Sequence, residues 1–284
     1  MVNPALAAMA NLVAPDVPLP PDDLVFDDGE PLESNRHRIA INVLIRSAQQ
    51  ALSSRADVFI GGNMFVYFSR EQAIKRDVRG PDVLMVLGVP PRERQGWVVW
   101  EEGGRYPDVI VELLSPSTAA MDRGAKKDLY EQVFRTPYYI IFDPFAPESL
   151  AGWRLQPGVG YQPIVPNERG WLWCDLLGLW FGVWEGVIDR EGPCAWLRLY
   201  TPQGELVPLP EEAAQQQAEQ AQRLAQQAQQ LAEQERQRAE QAQQQAEQER
   251  QRAEQAQRLA EQERQRAERL AAKLRELGVT LEEG

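Results

Sequence analysis

Residues 211–277 contain neither glycine nor proline, and alanine returns every seven residues: Ala218, Ala225, Ala232, Ala239, Ala246, Ala253, Ala260 and Ala267, with Leu274 next in the series. Without a helix breaker, and built from Ala, Gln, Glu and Arg, this stretch is expected to be helix. The positions three residues further on hold Ala221, Ala228, Ala242 and Ala256, but also Glu235, Glu249 and Glu263. That is a heptad seam poor in Leu and Ile, which leaves open a weak coiled coil or a solvated single helix. At a rise of about 1.5 Å per residue it runs on the order of 100 Å. If it pairs, the expected assembly is a homo-oligomer formed through it.

Three zones lie ahead of that helix, and a short tail, 278–284, follows it. Residues 1–30 are rich in Pro and Asp without periodicity and read as an extended arm. Residues 31–145 alternate helix and strand patterns. Residues 146–210 carry Trp153, Trp171, Trp173, Trp180, Trp184 and Trp196 among many Gly and Pro, the mark of short strands and turns packed on the preceding core. The tryptophans read as β-layer core rather than as platforms for stacking bases. With 284 residues, 43% of them hydrophobic, the chain can bury one good-sized domain and still carry the helical appendage.

No apolar run approaches the roughly 18 to 20 residues of a membrane span, and the N-terminus lacks the basic start of a signal peptide. Cys174 and Cys194 share no metal-type spacing and read as buried thiols in a reducing cytoplasm. The net charge is −12; the 15 acidic and 11 basic residues from Glu211 onward leave 27 acidic against 19 basic in residues 1–210. Phosphate binding normally leaves a basic footprint. None exists here in bulk, so a DNA partner would require a local basic groove.

Within 31–145, Ile39, Val43, Leu44, Ile45, Ala48 and Leu52 keep helical spacing, with Ser34 or Asn35 as cap. DVFIGGNMFVYFS, GPDVLMVLGV and PDVIVELLSPST read as strands, an excursion containing GWVVWEEGG separates the last two, Asp122 to Phe134 reads as helix, and PYYIIFDP as a further strand. Helix and strand in this order predict a layered α/β domain with a mixed central sheet flanked by helices.

Three acidic residues stand at strand-like apolar runs: Asp82, Asp108 and Glu112. Buried charge there is costly unless it serves something. Hard oxygen ligands for Mg²⁺, with a nearby cation, are what metal-dependent phosphodiester hydrolysis requires. Asp108 and Glu112 share a strand face but lie roughly 13 Å apart at about 3.3 Å per residue. If the Asp82 run pairs antiparallel with the 108–114 run, Asp82 meets Glu112 and not Asp108. Asp82 and Glu112 are therefore the expected ligand pair, with Asp108 as a turn or capping residue. Leu114, two beyond Glu112, cannot supply the cation. Lys126 lies on the helical stripe of Leu129, Tyr130 and Val133, whereas Lys127 points toward Glu131 and solvent, which favours Lys126.

PDVIVELLSPST, Asp122-Arg123-Gly124-Ala125-Lys126, Asp128-Leu129-Tyr130 and Pro137 to Pro144, with RHRIAINVLI and GGNMFVYFS ahead of them, resemble the Uma family of restriction endonucleases. That family is a cyanobacterial type within the PD-(D/E)xK nuclease superfamily. The resemblance spans roughly residues 30 to 200 and implies a restriction-endonuclease-like core, with a β-rich extension and the long helix added to it. It implies that Asp82, Glu112 and Lys126 are the catalytic positions, the lysine having moved from strand to helix as is usual in this family. The implied cofactor is Mg²⁺, with Mn²⁺ as substitute, and the implied substrate is DNA.

The remaining candidates are weaker. His37, the only histidine, stands at the start of the first helix, where a cap or surface role is expected ahead of catalysis. Glu33 precedes that helix and would be a further approach to the metal. The expected function is a Mg²⁺-dependent DNA endonuclease. The rival is a nuclease-fold interaction protein that assembles through its C-terminal helix.

Overall fold

The computed structural model describes residues 24, 34–75 and 80–276. The N-terminal arm apart from Leu24, Glu33 and the 278–284 tail lie outside the described residues. The chain divides into two compact units, 1–213 and 214–284.

In the first unit, α1 (Asn35–Ala51) leads into β1 (Val58–Gly62), β2 (Val66–Tyr67), α2 (Arg70–Lys75), β3 (Val83–Leu87), β4 (Trp97–Val98) and β5 (Val109–Leu113). Two short helices, α3 (Ala119–Arg123) and α4 (Ala125–Gln132), precede β6 (Tyr138–Asp143), β7 (Ala146–Gln156) and β8 (Gly160–Pro163). Then come β9 (Leu172–Cys174), β10 (Leu179–Gly186) and β11 (Cys194–Tyr200). The six-stranded sheet has the order β1-β3-β5-β6-β7-β8, and β5 runs parallel to β6 while the other pairs are antiparallel. Strands β11-β10-β9 form a second sheet, and β2 and β4 a short parallel pair. The main sheet does not stop at residue 145: β7 and β8 extend it beyond β6.

The central strand β5 is buried on both faces. Its residues alternate between two cores, as a period of two requires. Val109, Val111 and Leu113 pack with α1 and the second sheet. Ile110 and Leu114 pack on the opposite side with Tyr130, Phe134, Tyr139 and Ile141. Glu112 therefore faces the α4 side, a charged group inside an aromatic layer. Helix α1 is capped by Ser34, whose Oγ accepts from the His37 backbone N–H. Its approach to β1 is close enough that a Cβ on Gly62 would sit 2.5 Å from Ile45 Cδ1 and 2.8 Å from Ile41 Cγ2.

Several expectations are corrected. The single helix expected over 122–134 is two helices broken at Gly124, and it begins earlier, at Ala119. Its apolar stripe ends on Phe134, 3% exposed, rather than on Val133, 44% exposed. Of the six tryptophans in 146–210 only Trp196 is buried; the others are half-buried, with Trp171 stacked 3.9 Å from Tyr200 and Trp173 4.9 Å from Trp180. Cys174 is buried but Cys194 only half-buried, and both are free.

The long helix α5 (Pro210–Glu276) begins in the first unit with proline in its first turn, followed by Glu211 and Glu212, residue types that suit a helix N-terminus. Glu211 pairs with Arg46, and Glu212 with the buried Arg198 at 2.7 Å. In the second unit the helix has no buried residue. Arg236–Glu240, Arg250–Glu254 and Arg264–Glu268 pair along its surface at 3.1, 3.3 and 3.2 Å. No helix among the described residues is long and apolar enough to cross a membrane.

Candidate active site

Antiparallel pairing sets Val83 opposite Val111 and Met85 opposite Val109. The residue before β3 is therefore carried to the end of β5, and Asp82 arrives beside Glu112. The Asp82 backbone N–H points at Glu112 Oε2 at 3.4 Å, and Asp82 Oδ2 accepts the Leu113 N–H at 2.6 Å. Asp108 lies at the far end of the pairing, where its Oδ2 accepts the Leu87 N–H at 2.8 Å. It terminates β3 and takes no part in the carboxylate pair.

Glu112 is 1% exposed. Its Oε1 accepts from Tyr130 Oη at 2.7 Å and its Oε2 from Lys126 Nζ at 3.1 Å. Lys126 Nζ is also 2.8 Å from Asp122 Oδ1, and Asp122 is likewise buried. Asp122 is anchored through its carbonyl, which accepts from Tyr139 Oη at 2.8 Å. Asp122, Lys126 and Tyr130 are spaced by four, so they share one side of the α3–α4 pair despite the break at Gly124. Lys127 does not point to solvent as expected: its ammonium lies 4.9 Å from the centre of the Trp153 ring.

His37 is not at the surface. It is 6% exposed, and its Nε2 lies 3.1 Å from Asp82 Oδ1. Its backbone belongs to the helix cap while its ring reaches the carboxylate.

Burial, together with the charges around them, shifts Glu112, Lys126 and Tyr130. Burial pushes the Glu112 carboxyl up to about 8, against the opposing pull of Lys126 and with reinforcement from Asp82 and Asp122. Burial acts to lower Lys126, but Glu112 and Asp122 outweigh it and hold the ammonium above its ordinary value. Burial and the adjacent Glu112 raise Tyr130 well above the usual phenol range, so its hydroxyl remains a donor.

Hard oxygen donors from two neighbouring strands suit Mg²⁺, which commonly takes one or two carboxylates and completes its shell with water and substrate phosphate. Among the described residues no cluster of three or more His, Cys, Asp or Glu side chains is arranged to hold a metal.

A family described as Uma2, putative restriction endonuclease, matches residues 20–185, more than half of the 284-residue chain. The chain belongs to the Uma2 family. The Uma2 match covers all of the carboxylate–lysine cluster and ends within β10, so α5 lies outside it. Among solved structures, a protein from Anabaena variabilis ATCC 29413, described as a putative nuclease belonging to DUF820, is similar. It is 14% identical, over 54% of this chain and 81% of that one, with a TM-score of 0.38. No curated protein matches the sequence.

Sequence reasoning missed two members of the cluster. In the sequence Asp122 figures only as part of a motif and Tyr130 only as part of an apolar stripe. The four-residue spacing that joins them to Lys126 was the available signal.

Proposed function

We propose that this Uma2 protein is a metal-dependent endonuclease that hydrolyses DNA phosphodiester bonds at the Asp82–Glu112–Lys126 cluster. The observation that carries this reading is the buried Glu112 carboxylate at the end of the central strand, which takes the Lys126 ammonium and faces the Asp82 backbone N–H, with the Asp82 carboxylate on the adjoining Leu113 N–H. A structural ion pair gains little from such burial. A site that must position charge against a phosphate does.

In this reading Asp82 and Glu112 hold Mg²⁺, which supplies Lewis-acid polarisation of the phosphate and lowers the pKa of water. Lys126 lies where it can stabilise charge on the scissile phosphate or orient the attacking water. Asp122 and Tyr130 hold Lys126 and Glu112 in place, and His37 holds Asp82; these are positioning residues. Cleavage of plasmid DNA with Mg²⁺ tests the proposal. Wild type is expected to convert supercoiled plasmid, and Glu112→Ala to leave it intact; equal background from both would end the enzymatic reading.

A second reading, assembly through α5, is favoured by a helix of 67 residues with no buried residue on a repeating alanine seam. Sedimentation of the full chain against a truncation after residue 213, which keeps Glu211 and Glu212, tests it. Loss of a dimer on truncation supports assembly, and a monomer in both forms removes it.

A further inference from the structure

A pocket of about 310 Å³ lies between the start of α1, the turn after β6 and the start of β11, lined by Arg36, Pro144, Phe145, Pro147, Glu185 and Pro193 among others. That volume is sufficient for a small flat ligand. Two of its features are not explained by the fold. Phe145 is 65% exposed, although the turn carrying it is fixed by Asp143 Oδ1, which accepts the Phe145 N–H at 2.8 Å. The Arg36 guanidinium lies 4.6 Å from the Phe145 ring centre and 5.6 Å from that of Trp196. Its Nη2 donates to the Ala195 carbonyl at 3.0 Å, while its Nε is buried without a hydrogen-bond partner among the described residues.

The lining sets the ligand's chemistry. An exposed aromatic ring with a guanidinium over one face offers its other face as a stacking platform for a flat π-system. The proline rings contribute apolar walls with no backbone N–H. Arg36 has N–H donors left over after its hydrogen bond to the Ala195 carbonyl, and Glu185 offers only acceptors when ionised. An aliphatic ligand would leave those donors unmatched, and a bare phosphate would meet the Glu185 carboxylate. A nucleobase satisfies all three. Guanine does so best, since its O6 and N7 accept from arginine and its N1–H and amino group donate to a carboxylate.

The pocket lies toward the same end of the main sheet as the carboxylate cluster. Arg36 precedes His37, whose ring reaches Asp82, and Phe145 follows the end of β6, where Ile141 is the register partner of Glu112. A base paired in a duplex cannot offer its face to a protein ring, so an occupant must be unstacked. We infer that the Arg36–Phe145 pocket binds an unpaired guanine base of the strand being cut, making single-stranded or locally opened nucleic acid the substrate class. This rests on the nuclease reading of the cluster above.

Calorimetric titration of the full chain with GMP, CMP, AMP and UMP, in the absence of divalent metal, tests the pocket apart from the chemistry. GMP is expected to bind saturably and more tightly than the other three. Phe145→Ala should weaken it by at least about tenfold, the share base–aromatic stacking carries, and Arg36→Ala comparably. Glu112→Ala should bind GMP like wild type. No saturable binding at millimolar nucleotide, equal binding by Phe145→Ala, or displacement of GMP by equimolar inorganic phosphate would each overturn the proposal. If GMP binding depends on Phe145 while plasmid and single-stranded DNA both stay uncut, the nuclease reading fails and the base pocket stands. If cleavage depends on Glu112 but GMP does not bind, the pocket fails alone.

Discussion

Lys126 Nζ lies 3.1 Å from Glu112 Oε2 and 2.8 Å from Asp122 Oδ1, so one ammonium joins the central strand to the helix pair packed on it. The lysine is 14% exposed and both carboxylates 1%. A contact that dry is both a structural tie and a pre-positioned charge, and the two roles can be separated experimentally.

Lys126→Met leaves the two carboxylates without their cation. Removing one partner from a buried pair costs about 3–5 kcal/mol, so urea unfolding at pH 8 is expected to show a loss of that order. At pH 5, where Glu112 is protonated, the loss should be smaller. The same loss at both pH values would mean that the aliphatic stem, and not the charge, stabilises the fold.

Glu112 is held above its ordinary carboxyl value, up to about 8, by burial. Between the unfolded carboxyl value and 8 the folded chain keeps a proton that the unfolded chain releases, so stability falls as pH rises through that window and levels off above it. The slope is at most about 1.4 kcal/mol per pH unit. Thermal unfolding from pH 5 to 8 should show this fall in wild type, while Glu112→Gln, which cannot ionise, should lack that part of it. Identical profiles for the two proteins would assign the slope to other groups.

Asp108 is expected to matter to the fold alone. Asp108→Ala removes the acceptor for the Leu87 N–H, which should lower stability by about 1 kcal/mol and leave the rate of plasmid cleavage unchanged. A loss of cleavage comparable to that of Glu112→Ala would return Asp108 to the catalytic group.

His37 is expected to act through Asp82. His37→Ala should reduce metal-dependent cleavage by about 10- to 100-fold, the usual effect of losing a group that orients a metal ligand. His37→Gln, which can still donate to Asp82 Oδ1, should recover part of that loss. Calorimetry with Mn²⁺ should show weaker binding in His37→Ala and an intermediate value in His37→Gln. Unchanged Mn²⁺ affinity in both would leave His37 as a core residue only.

The sequence by itself determined what depends on local order and on pairing direction. The α5 helix followed from composition and period, since nothing between residues 211 and 277 can break it. The choice of Asp82 over Asp108 as the neighbour of Glu112 followed from antiparallel geometry, which the register Val83 to Val111 reproduces. Tertiary structure alone decided what depends on where a side chain ends. His37 caps a helix with its backbone, yet its ring crosses to a carboxylate 45 residues away in sequence. Lys127 sits over Trp153 because β7 joins the main sheet beside α4, and no spacing within the helix encodes that. Phe145 and Arg36 meet at the end of that sheet although 109 positions separate them in the chain. Local periodicity fixes which face a residue occupies; only packing fixes what that face meets.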